Sequence, residues 1–255
     1  MISKENLEQM KRGLSWFELK EGLKSDGCPI CYIIHKSLKK YFEYLLREYA
    51  LDVTVHKKMI AAMGMCNTHT WILAESKDEL GIASLFETTL HKEIKLLRNT
   101  NELGLQNLTV NSKNERKLEK FKKEILKLLL PKGLCIACQQ QKENESYYTH
   151  EMAILCEDEE FNKYYERDEV LLCRFHFLLL INETKNKDVI NYFINKQRIK
   201  LDKLNYQLSE FLRKHDYRFK KEMTDLDRKS WKRLLEYLGS KPNISHKGYN
   251  DLLIQ

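Results

Sequence analysis

Six of the seven cysteines and two of the eight histidines fall into four short clusters: Cys28-Pro29-Ile30-Cys31, Cys66-Asn67-Thr68-His69, Cys135-Ile136-Ala137-Cys138 and Cys173-Arg174-Phe175-His176. The spacing runs C-x2-C-x34-C-x2-H and then repeats, each ligand position of the second set lying 107 residues after its partner in the first. Residues three apart on a helix share a face, so each cluster is a two-toothed clamp for one ion. Four matched offsets read as an internal duplication of a metal site with three thiolates and one imidazole. The expectation is that Cys28, Cys31, Cys66 and His69 share one ion, and Cys135, Cys138, Cys173 and His176 a second.

That donor set suits tetrahedral Zn2+ and leaves it no open position, so two structural zinc sites are expected. An iron–sulfur cluster with one histidine ligand is the alternative cofactor, although its usual spacings differ. A reversible thiol or zinc switch is a third reading, and six cysteines that are merely small buried hydrophobes a fourth. Neither CxxC is followed by His, which excludes c-type haem attachment.

The elements that must position these clamps are helices. Nine glycines and three prolines in 255 residues, with abundant Leu, Ile, Lys and Glu, favour an all-α chain, and no stretch alternates long enough for a strand. An opening helix is expected over 4–24, stopped by Ser25-Asp26-Gly27. Cys28 then occupies an N-cap position with Pro29 at the first helical one. Ile34, Leu38, Phe42 and Leu45 continue an apolar stripe to about residue 50, and Asp52 caps a second helix that ends at Cys66. A helix of about 20 residues travels roughly 30 Å, and the next would return, so each CxxH is expected to fold back onto its own CxxC as a helical hairpin closed by metal. Residues 99–114 read as a linker and 113–132 as a basic amphipathic helix. The second half repeats the plan, then adds a long helix over 189–215 and a shorter one stopping at Gly239. The expected organisation is two pseudo-repeated modules, 1–105 and 106–255, with N- and C-terminal helices.

Charge constrains function less. There are 44 Lys and Arg against 37 Asp and Glu, a net +7, which points only mildly to an anionic partner. The first 25 residues lack the apolar core of a signal peptide and no apolar run is long enough to span a bilayer, so a cytoplasmic protein without membrane contact is expected. Basic residues in 113–132 and 213–233, the latter interleaved with Tyr217, Phe219 and Trp231, raise nucleic acid as a partner. Acidic residues in both stretches read equally as solvated helix faces.

Other residues invite chemistry less. Cys156 matches Tyr49 in the first half and reads as a buried thiol. His35, His56, His91, His150, His215 and His246 have no matched spacing. His150-Glu151 is no H-E-x-x-H, since position 154 is Ile, and Glu157 to Glu160 reads as the acidic opening of a helix. No P-loop, nucleophile-elbow or dinucleotide glycine pattern is present.

Trp16-Phe17-Glu18-Leu19 leading to Gly27-Cys28-Pro29-Ile30-Cys31, Cys66 to Trp71, 158–176 and Lys214 to Phe219 together resemble an uncharacterised bacterial family, a domain of unknown function with duplicated CPxC and GFCxxH segments. The resemblance covers most of the chain, and Ile136 stands where proline is common in the second CxxC. It implies metal-bearing helical modules and supplies no reaction. The function expected is a binding or adaptor module with an unidentified protein partner and no catalytic residues. A redox or metal sensor, an iron–sulfur protein and a nucleic-acid-binding protein are the alternatives.

Overall fold

Helix boundaries in this chain are set by local chemistry that can be followed residue by residue. The structure, a computed structural model, describes residues 13–102, 115–242 and 244. Among them lie eleven α-helices: α1 Leu14–Lys24, α2 Pro29–Glu48, α3 Val53–Ala61, α4 Asn67–Ala74, α5 Glu79–Glu102, α6 Glu115–Leu129, α7 Ile136–Leu155, α8 Glu159–Tyr165, α9 Arg174–Glu183, α10 Lys187–Arg213 and α11 Asp225–Gly239. The described residues contain no strand, only a single bridge between Gly27 and Val170. The all-α class read from the sequence holds. The expected helix over 4–12, most of the linker over 99–114 and the tail from 245 lie outside the described residues.

Contacts divide the described residues into two compact units, one of residues 13–37 with 141–242 and 244, the other of residues 38–102 with 115–140. This differs from the division at 105/106 expected from the repeat, and both internal boundaries fall inside helices, α2 and α7.

In the first unit, Gly27 adopts φ +87° and exchanges backbone bonds with the loop before Cys173: its N–H donates to Glu169 O (2.9 Å), and Leu171 N–H donates to its carbonyl (3.1 Å). A Cβ on Gly27 would meet the Glu236 carboxylate at 2.9 Å, the end of a side chain that can move aside, so it is the left-handed backbone that calls for glycine. Asp158 caps α8 by accepting from Phe161 N–H (2.9 Å), and Glu159 and Glu160 occupy its first turn, which is the acidic helix opening expected there. Thr224 and Asp227 form a reciprocal capping box at the start of α11, which packs along α10. The core gathers Leu19, Leu23, Ile30, Met152, Phe161, Tyr165 and Phe193, with the Phe161 and Tyr165 rings stacked at 5.4 Å. Lys200 is buried and donates to the carbonyls of Arg167 and Val170 (2.7 Å each), fixing the loop that runs into Cys173. Asn144 Nδ2 donates to Ser37 Oγ (2.8 Å), joining α7 to α2 through residues that are themselves 107 apart.

In the second unit, Asp52 caps α3 as expected, accepting from Val55 N–H (2.8 Å). Met63 and Gly64 then turn left-handed (φ 52° and 94°), and Gly64 N–H donates back to Met59 O (2.8 Å). Lys132 and Gly133 N–H groups both donate to Ala61 O (2.7 and 2.9 Å), tying the chain before Cys135 to the chain before Cys66. Leu38, Phe42, Leu45, Met59, Leu73 and Leu85 fill this core.

The expected hairpins are where the structure departs from the sequence reading. Helix α2 has 20 residues and rises about 30 Å, whereas α3 has nine and can cover only about 14 Å. The following residues are coiled into the left-handed cap and cover little further ground. The second half repeats the mismatch: α7 has 20 residues, α8 has seven, and turn bonds from Arg167 N–H to Tyr164 O and Val170 N–H to Arg167 O shorten the way to Cys173. Neither return leg reaches the CxxC it was expected to meet.

Candidate metal centres

All eight ligands expected from sequence gather into two tetrads, but crosswise. Cys28, Cys31, Cys173 and His176 form a first centre, within the first unit; Cys66, His69, Cys135 and Cys138 form a second, within the second unit. Each therefore takes its CxxC from one half of the sequence and its CxxH from the other. This corrects the pairing expected above, and the short return helices are the reason.

Helix starts supply the ligands. Cys28 immediately precedes α2 and Cys31 lies in its first turn; Cys173 is the N-cap of α9 and His176 lies in its first turn. Cys66 likewise caps α4, which carries His69, and Cys135 precedes α7, which carries Cys138. Helix N-termini bear partial positive charge, which favours thiolates over thiols. Two such ends converge on each centre.

The distances test whether an ion fits. In the first centre the His176 Nδ1 lies 3.4 Å from Cys28 Sγ, 3.3 Å from Cys31 Sγ and 3.1 Å from Cys173 Sγ, and the Cys31 and Cys173 sulfurs are 3.7 Å apart. In the second, His69 Nδ1 lies 3.3, 3.6 and 3.4 Å from the sulfurs of Cys66, Cys135 and Cys138, and the Cys66 and Cys138 sulfurs are 3.6 Å apart. A tetrahedral ion with metal–sulfur bonds of about 2.3 Å and metal–nitrogen bonds of about 2.0 Å has edges of about 3.8 and 3.5 Å. Both tetrads have that size, so both can hold a metal ion.

Electrostatics favours the same occupant. Burial opposes ionisation of Cys28, yet hydrogen bonds from Cys173 and Cys31 outweigh it and hold its thiol well below the usual range. Burial and its bonds to Cys173 and Cys28 push Cys31 well above it. Cys66 is held low by bonds from Cys135 and Cys138, while Cys138 is pushed high by bonds to Cys135 and Cys66. Burial lowers His69, but Cys135 and Cys66 overcome this and raise it to about 9; His176 is likewise raised against its burial by Cys173 and Cys28. Without a cation, then, protons are shared to keep like charges apart. A divalent ion lets all three sulfurs ionise and both imidazoles stay neutral.

Sequence reasoning missed the residues around the first centre. Glu145 is fully buried, accepts from His176 Nε2 at 3.2 Å and from Gln141 Nε2 at 2.8 Å, and so fixes which imidazole nitrogen faces the sulfurs. Ser240 Oγ donates to Cys173 Sγ (3.1 Å). The position 107 before Glu145 is Leu38, so the repeat itself gave no hint of a carboxylate there. Cys156 is buried outside both tetrads, its thiol pushed up to about 11 by burial and by Glu157. His35, His56, His91, His150 and His215 belong to neither tetrad, and His246 lies outside the described residues.

Among the described residues no helix is long and apolar enough to cross a membrane. The model of a family of unknown function, DUF6062, matches residues 3–244. No curated protein and no solved structure matches the chain.

Proposed function

We propose that this chain, which belongs to the family of unknown function DUF6062, is a two-zinc helical protein acting as a binding or adaptor module, with no chemistry at the metals. The observation carrying the proposal is the closed donor set, three sulfurs and one nitrogen at tetrahedral edge lengths in each unit. Zinc is the ion that this geometry and thiolate-rich donor set favour, and with four protein ligands it has no position for substrate. Six cysteines arranged as metal ligands rather than as disulfides support a reducing, cytoplasmic setting. The repeated spacing supports descent from a duplicated module, with the metal ligands exchanged between its copies.

Helix α11 offers the docking face. Trp231, Leu235 and Leu238 sit at i, i+4 and i+7 and are 49, 57 and 55 % exposed. Arg228, Lys229 and Lys232 are exposed along the same helix. Such a stripe fits an apolar segment of a protein partner with an acidic rim. A second reading, nucleic acid, is favoured by the cavity of about 430 Å³ lined by Phe211, His215, Lys220, Met223, Arg228 and Trp231. Lys220, Lys221, Arg228, Lys229 and Lys232 have no carboxylate partner among the described residues.

Elemental analysis and an absorption spectrum of anaerobically purified protein test the metal reading. Two zinc ions per chain, no visible colour and loss of helical circular dichroism on chelation are expected. Brown protein containing iron and sulfide would replace zinc with a cluster. Retention of a labelled oligonucleotide that weakens steeply with salt would move the docking face to nucleic acid.

A further inference from the structure

We infer that the two centres differ in permanence: the Cys66–His69–Cys135–Cys138 centre is an exchangeable, oxidisable metal site, while the Cys28–Cys31–Cys173–His176 centre holds its ion for the life of the fold. The inference rests on the zinc reading above and deepens it into a thiol-based sensing function.

Access separates them. Metal leaves a closed thiolate site when an incoming ligand or oxidant reaches a donor atom, so exposure of sulfur governs the rate. In the first centre Cys28 is 3 % exposed and Cys31, Cys173 and His176 are fully buried. In the second, Cys66 and Cys135 are partly exposed, each the leading residue of its clamp, and only His69 and Cys138 are buried.

The first centre is also held by buried partners. Cys173 Sγ accepts from Ser240 Oγ (3.1 Å) and from His176 N–H (3.4 Å), and Glu145 holds the His176 ring through Nε2. A partner of this kind on a metal-bound imidazole strengthens the ligand and keeps it in place.

The chemistry at the second centre takes hydrogen peroxide as oxidant. The Cys66 thiolate attacks one peroxide oxygen, an S–O bond forms, the O–O bond breaks and hydroxide departs. Cys138 Sγ, 3.6 Å away, then attacks the sulfenic sulfur and displaces a second hydroxide, closing a disulfide. Two sulfurs together lose the two electrons that reduce the peroxide, and Zn2+ leaves with its oxidation state unchanged.

The test follows zinc release from the full-length, two-zinc protein into a chromophoric chelator, with and without hydrogen peroxide. Two phases of one ion each are expected, the second at least about tenfold slower. Peroxide accelerates the fast phase, and peptide mapping then finds Cys66 in a disulfide while Cys28, Cys31 and Cys173 remain free thiols. Cys66→Ser removes the fast phase alone, and Glu145→Leu speeds the slow phase by about 10–100-fold. Release of both ions in one phase, or loss of the slow phase in Cys66→Ser, overturns the proposal, and the wild-type trace decides this even where a variant fails to fold. Protein purified without any metal sinks the zinc reading instead, and this inference with it.

Discussion

Crossed pairing of the ligands makes one sharp prediction, because it decides which cysteines share an ion. Cys31→Ser and Cys173→Ser strike the same centre, whereas Cys31→Ser and Cys66→Ser strike different ones. The Cys31/Cys173 double variant is therefore expected to retain about one zinc per chain and the Cys31/Cys66 double variant about none, since a structural site rarely survives loss of a thiolate. The energetics follow the same logic. Joining Cys31 to Cys173 closes a loop spanning 142 residues, and joining Cys66 to Cys138 one spanning 72. In the chain-entropy account, cross-links over such spans restrict the unfolded chain by about 5 and 4.4 kcal/mol, against about 3.8 for the 35-residue hairpin loops of the alternative pairing. Each single variant should therefore lower stability by several kcal/mol, somewhat more at the first centre. Losses should be strongly non-additive for Cys31 with Cys173, which share one ion, and additive within about 0.5 kcal/mol for Cys31 with Cys66. Metal content by plasma mass spectrometry, paired with urea unfolding, measures both. A Cys31/Cys66 variant that keeps one ion, beside a Cys31/Cys173 variant that keeps none, would refute the crossed arrangement and restore the hairpins.

Two further outcomes follow from the first unit. Gly27→Ala forces a side chain into a left-handed backbone position and toward Glu236, so urea unfolding should show a loss of about 1–2 kcal/mol while metal content stays unchanged. Burial lowers Lys200 to about 8 in the folded chain, below its unfolded value of about 10.4. The unfolded chain thus binds more protons between those limits, and stability relative to Lys200→Met should rise from pH 8 to pH 10 by about 2 kcal/mol. Urea midpoints at both pH values measure this, and an unchanged difference would show that Lys200 does not titrate in that range.

Much of this protein is written in short-range chemistry. Pro29 after Cys28, Asp52 before Val53 and Asp158 before Glu159 start helices by local hydrogen bonding and fixed φ, which needs no knowledge of the rest of the chain. The eight ligands are legible for the same reason: thiolate and imidazole three residues apart announce a clamp wherever they occur. Glu145 was not legible, because a glutamate in a helix reads as solvated until the fold buries it against His176.

Residue types and their intervals alone established a helical chain with four two-toothed clamps for a soft ion. They pointed each CxxH to its own CxxC and got the pairing wrong, because one CxxC presents the same donors to any CxxH. That choice belonged to tertiary structure: α3 and α8 are too short to retrace α2 and α7, so each centre is completed by a motif from the other half of the sequence.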